Sequence, residues 1–166
     1  MKRGSAATAL LCAAASIKAI SAPVFGINYE LLLLGYVSSL ATKLADTFAS
    51  EIGKAYGKTT FLITTFERVK PGTEGAVSLE GTLAAAVGGS LLAMYGLGIG
   101  LLGSWTSVGI ATLAAFLATN AESLIGATLQ EKKGFEWMTN EVVNFINTVI
   151  GATIAIGLGM MLGVGN

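Results

Sequence analysis

Histidine is absent from the chain. That removes Ser-His-Asp catalysis, imidazole proton relays and any histidine-bearing zinc site. A single cysteine, Cys12, excludes an internal disulfide and a cysteine zinc cluster, and its Ala-rich apolar surroundings make it a small hydrophobe. Charge is also scarce. Charged side chains make up 12% of the residues, where a soluble domain carries about 25%. That is too few to cover the surface of a water-soluble fold. The formal net charge is zero, which gives no electrostatic basis for binding nucleic acid.

What is present is apolar and small. Hydrophobic residues make up 53% of the chain and mean hydropathy is +0.71. The 22 glycines suit membrane helices whose backbones approach closely. A membrane-spanning helix takes roughly 20 mainly apolar residues. Five segments meet that description, at about 5–22, 29–50, 80–103, 105–129 and 140–163. The expectation is therefore an all-α polytopic transmembrane bundle of about five spans, forming a single domain over 1–166. The first span is the weakest. Lys2 and Arg3 ahead of an apolar run also resemble a secretory leader, but Lys18 interrupts that run and four more apolar segments follow. Pro23 and Gly26 end it. A tight Gly-rich link around Gly100–Ser104 makes spans three and four a hairpin.

Basic residues outside the expected spans fall in three groups: Lys2 and Arg3; Lys54, Lys58, Arg68 and Lys70; Lys132 and Lys133. Two spans separate each group from the next, so all three share one face. The positive-inside rule makes that face cytoplasmic, or stromal in a plastid.

Charges in or beside spans are costly and usually line a site. At helical spacing Lys43, Asp46, Ser50 and Gly53 form one small polar face, with Gly57 a turn further on. Asp46 and Glu51 are candidate magnesium ligands, since that ion is commonly held by one or two carboxylates plus substrate phosphates. Gly53 and Gly57 would let phosphates approach the backbone, with Lys54 and Lys58 offsetting their charge. A snorkelling helix end with surface lysines gives the same pattern. Gly53 to Thr59 is not a P-loop, which needs four residues between its glycines and a preceding strand.

Further along, Lys70-Pro-Gly72-Thr73-Glu74-Gly75 makes a turn that leads to Ser78. It reads either as a backbone anion site or as a turn before a helix capped by Ser78. Thr119, Glu122, Gly126 and Gln130 share another helical face, and Asn140, Asn144 and Asn147 head the last helix. Amides in membrane helices often only join neighbours, at about 0.6 kcal/mol each. Glu122, a carboxylate inside a span, is a functional candidate.

These runs resemble the phytyl-phosphate kinase family of cyanobacteria and plastids. The resemblance is carried by Leu44-Ala-Asp-Thr47, Ser50-Glu-Ile-Gly-Lys-Ala-Tyr-Gly-Lys-Thr-Thr60 and Gly72-Thr-Glu-Gly-Ala-Val-Ser-Leu-Glu-Gly-Thr82. Glu122-Ser-Leu-Ile-Gly-Ala127, Lys133-Gly-Phe-Glu-Trp137 and Asn140-Glu-Val-Val-Asn144 extend it over nearly the whole chain. It implies an all-helical membrane enzyme that converts phytyl phosphate to phytyl diphosphate in phytol salvage, feeding tocopherol and phylloquinone synthesis.

The Asp46, Gly53-Lys54, Gly57-Lys58 and Lys70 to Gly75 pattern is also similar to polyprenol kinases and phosphatidate cytidylyltransferases, which use CTP and a divalent metal. The resemblance thus implies Mg²⁺, with CTP (or ATP) as donor. Its partners would be an isoprenoid phosphate lipid, a nucleotide and membrane lipids, in a cyanobacterial or plastid membrane. By carry-over Asp46 is a metal ligand, Lys54 and Lys58 touch phosphate, and Lys70, Gly72, Thr73, Glu74 and Gly75 form a nucleotide loop. Glu122, Asn140 and Asn144 line the site. Family members begin with further hydrophobic helices ahead of the Lys2-Arg3-Gly4-Ser5 stretch, so the chain corresponds to a fragment, a truncated form or a minimal version.

A bundle kinase needs mainly positioning and charge neutralisation, so the lack of histidine is no obstacle. Gly-rich faces of the third and fifth spans are expected to leave room for the isoprenoid tail. Other readings of the same residues are a phytol or polyprenol kinase, a lipid cytidylyltransferase, a small transporter and a structural membrane subunit.

Overall fold

The computed structural model describes residues 27–130, 134–135 and 137–165. The expected first span, with Cys12 and the Lys2–Arg3 group, and the Lys132–Lys133 pair lie outside the described residues. Within them the order is α1 (Tyr29–Tyr56), β1 (Thr60–Leu62), β2 (Ala76–Ser78), α2 (Leu79–Gly98), α3 (Trp105–Leu129) and α4 (Asn140–Met161).

Each helix starts where a short polar side chain can take an unpaired backbone N–H. Asn28 accepts from Leu31, Ser78 from Gly81, Ser104 from Ser107 and Thr139 from Val142. Helix α2 ends at Gly98, earlier than position 103, because the link turns sharply there. Gly96 carbonyl accepts from both Leu101 and Leu102, and Gly100 adopts φ +78°.

Three of the four described helices, α2, α3 and α4, are long and apolar enough to cross a membrane. At 28 residues α1 is longer, about 42 Å at the usual helical rise. It is also the most polar, carrying Glu30, Lys43, Asp46, Glu51 and Lys54. Position resolves the conflict. Helix α1 packs against each of the other three, and Ser38, Ser39, Thr42 and Asp46 are buried in the bundle rather than turned to lipid. The spans surround their polar member.

Size is sorted the same way. Inward faces are small: Ala84, Ala85, Gly88 and Gly89 on α2; Ala111, Ala114, Ala115 and Ala118 on α3; Gly151, Ala152 and Ala155 on α4. Outward faces are large, with Leu83, Val87, Leu91 and Met94 forming an exposed row on α2 and Leu113 and Leu117 on α3. In lipid there is little hydrophobic drive between helices, so close backbone contact supplies the packing. At Gly151 a methyl group would lie 2.1 Å from Thr42 Oγ1, and at Gly81 it would lie 2.7 Å from the Ala49 carbonyl.

Helices α1 and α4 run antiparallel. Asn28 Nδ2 donates to the Gly165 carbonyl at 3.1 Å at one end, and Lys43 reaches Asn144 towards the other. At that second end β1 and β2 form an antiparallel pair, Thr60 opposite Ser78 and Leu62 opposite Ala76. This small sheet ties the end of α1 to the start of α2.

Candidate functional site

Beside this sheet is a cavity of roughly 200 Å³. Six parts of the chain wall it, one of them Thr60 of β1. Helix α1 supplies Asp46, Ala49, Ser50, Glu51, Gly53 and Lys54; the 71–78 segment supplies a continuous wall; α2 gives Gly81, Thr82 and Ala85. Helix α3 gives Thr119, Asn120, Glu122 and Ser123, and α4 gives Asn140.

The loop is held by close approach. Lys70 carbonyl accepts from Thr73 Oγ1 at 2.8 Å and from Thr73 N at 3.2 Å, and Thr73 carbonyl accepts from Ala76 N at 3.0 Å. Gly75 then passes over α3 with φ +74°, where a methyl group would lie 2.3 Å from Ala127 Cβ and 2.7 Å from its backbone. Only glycine meets both demands, the left-handed backbone and the missing side chain. Ser78, buried at the next corner, caps α2 through its Oγ, 3.1 Å from Gly81 N.

Of the residues expected to form a site, Asp46, Glu51, Gly53, Lys54, Gly72, Thr73, Glu74, Gly75, Glu122 and Asn140 line this one cavity. Four others stand apart from its wall. Gly57 donates its N–H to the Gly53 carbonyl at 3.0 Å, ending the helix. Lys58 is exposed, with its backbone N 3.4 Å from Glu80 Oε1. Lys70 contributes its carbonyl to the turn. Asn144 stands behind the wall, its Nδ2 donating to the Asn140 carbonyl at 2.7 Å and to Asn140 Oδ1 at 2.5 Å.

Lys43 is the residue with a larger part than spacing suggested. It lies on α1 one turn before Asp46, and its ammonium donates both to the Asp46 carboxylate and to Asn144 Oδ1. The Asp46 contact was legible as an i,i+3 pair. The Asn144 contact crosses 101 positions and has no local signal.

The inward glycines of α2 and α4 leave no room for a lipid tail against α1, whereas Gly98 and Gly157 face open space. At Gly88 a methyl group would meet the Phe48 ring at 3.0 Å, and at Gly159 it would meet Leu31 at 2.6 Å. Those glycines are filled by α1, whose bulk the sequence pattern of each span alone does not reveal.

The wall carries four carboxylates, Asp46, Glu51, Glu74 and Glu122, and one ammonium, Lys54. Among the described residues no three acidic, cysteine or histidine side chains group into a ready-made metal cage. The donors are oxygens, which suit a hard cation, and magnesium needs only one or two carboxylates when phosphates complete its shell. The residues therefore fit a cation that arrives with most of its ligands.

Sequence comparison gives the setting. The chain matches the family described as integral membrane protein DUF92 over residues 3–152. It is 59% identical over 157 residues to an uncharacterized membrane protein of Synechocystis sp., covering 93% of this chain and 57% of that protein. It is 47% identical over 153 residues to protein VTE6, chloroplastic, of Arabidopsis thaliana, covering 92% and 45%. An uncharacterized membrane protein of Methanocaldococcus jannaschii is 41% identical over 133 residues, covering 80% and 53%. The chain thus spans about half the length of the curated relatives it matches. No solved structure matches it. With most of its length matched, and with helices that bury polar groups behind apolar outer faces, the chain belongs to the DUF92 family of integral membrane proteins.

Proposed function

We propose that the cavity is a phosphoryl-transfer site of a membrane kinase that takes phytyl phosphate to phytyl diphosphate with CTP as donor. The observation that carries this is convergence. Residues from four separate runs that resemble phytyl-phosphate kinases, around 44–60, 72–82, 122–127 and 140–144, wall one cavity at one end of the bundle.

In this reading an oxygen of the acceptor phosphate attacks the γ-phosphorus of the nucleotide. The bond to the β,γ-bridging oxygen breaks and CDP leaves. Such transfers ask chiefly for positioning and charge neutralisation. Lys54 meets the transferring group, the Gly72–Gly75 turn holds the donor phosphates against the backbone, and Asp46 with Glu51 or Glu122 would hold a divalent cation. That cation would supply positive charge to the donor phosphates. A wall with four carboxylates and one ammonium repels a bare polyphosphate, so a cation is needed for the donor to enter. The acceptor monoester is largely ionised near neutral pH and needs no strong base.

Lys54, Lys58, Arg68 and Lys70 accompany this end, which by the positive-inside rule faces cytoplasm or stroma. One experiment addresses both sidedness and the nucleotide loop. On a Cys12→Ser background, Thr73→Cys is expected to react with an impermeant maleimide from the cytoplasmic or stromal side. CTP with Mg²⁺ should slow that reaction severalfold. Thr64→Cys, exposed and outside the cavity wall, should be labelled equally with and without nucleotide. Labelling from the opposite side, or no protection at position 73, would reject the assignment.

A further inference from the structure

Behind the cavity wall a chain of four side chains links α1 to α4. Asp46 and Asn140 lie at its ends and line the cavity; Lys43 and Asn144 lie between them and do not. Asn144 is 2% exposed, and the Lys43 and Asp46 side chains are 20% and 12% exposed. A carboxylate this sheltered is costly without a counter-charge. Lys43 supplies one from within the protein.

We propose that Lys43 is a placeholder for the cation at Asp46, so that the site refuses free divalent metal and accepts it with a nucleotide. This rests on reading Asp46 as a cation ligand. The ammonium holds Asp46 Oδ2, and a metal ion taken by the same carboxylate would lie close enough for the two cations to repel each other. A metal carrying nucleotide phosphates brings the negative charge that compensates both cations. When Asp46 is taken, the Asn144 carbonyl still accepts from Lys43, so the ammonium keeps a hydrogen-bond partner with or without donor. The device lets the bundle fold with no metal present and makes the metal–nucleotide complex the species that binds.

The test is Mn²⁺ binding to the detergent-solubilised full chain, read from the electron paramagnetic resonance of free Mn²⁺, without nucleotide. Lys43→Gln, and Lys43→Met as a second variant, should bind Mn²⁺ about tenfold or more tightly than the parent, the equivalent of one charge-assisted hydrogen bond released to the metal. Adding Asp46→Asn to Lys43→Gln should remove the gain. Thermal unfolding should show Lys43→Gln weakened in chelator and recovered by Mn²⁺, with the parent unresponsive. Unchanged or weaker Mn²⁺ affinity in both Lys43 variants overturns the placeholder. A parent that transfers phosphoryl groups while no variant binds Mn²⁺ overturns it too, and leaves the kinase reading standing. Tighter Mn²⁺ binding with no transfer by the parent supports the placeholder and removes the kinase reading.

Discussion

Asp46→Asn should leave a folded, membrane-inserted protein whose kinase turnover falls by about a hundredfold or more, the scale of losing one preorganised electrostatic partner in a transfer site. The substitution keeps the size of the side chain and one carbonyl oxygen for Lys43, but removes the charge that holds a cation. Helix α1 is otherwise anchored along its length by α2, α3 and α4, so the bundle has no need of this charge to assemble. Size-exclusion profile and thermal unfolding establish the fold, and initial rates give the effect. Parent-like turnover by a well-folded Asp46→Asn variant would remove Asp46 from the site.

The second large effect separates two lysines four residues apart. Both are exposed, but only Lys54 belongs to the cavity wall. A phosphate contact by a charged donor contributes about 1.5–3 kcal/mol. Lys54→Ala should therefore lower kcat/KM for the nucleotide roughly ten- to hundredfold, while Lys58→Ala stays within about twofold of the parent. Added salt should weaken donor binding more steeply in the parent than in Lys54→Ala. Equal, small effects at both positions would make Lys54 a solvated helix end and move the phosphate contacts to the Gly72–Gly75 turn.

The contrast between these lysines marks what local pattern can and cannot give. Helix existence was legible because apolar length is decisive in a membrane. Span four was read as 105–129 and the helix is Trp105–Leu129, fixed by the Ser104 cap at its start. Helix α1 runs six residues past the expected position 50, since its last turns are polar rather than apolar and Gly53 brings them close to Gly81 of α2. The two strands were missed. Each is three residues long and exists only through pairing across the 63–75 segment, a contact that no period in the sequence encodes. Asp46, Glu122 and the Gly72–Gly75 turn stood out as polar groups in apolar surroundings. Their meeting in one cavity depends on α3 and the loop touching at Gly75 and Ala127, and that is tertiary information. The same holds for Gly88, Gly96, Gly151 and Gly159, which resemble open room in sequence and are filled by α1 in the fold.

The most direct measurement is the transfer reaction itself. Purified protein in lipid, given phytyl phosphate and CTP or ATP labelled at the γ-phosphate, is predicted to move label into phytyl diphosphate. CTP should be the better donor, chelator should stop transfer, and restored Mg²⁺ should recover it. Folded protein that yields no labelled lipid from either nucleotide, or that transfers label equally well in chelator, would contradict the account.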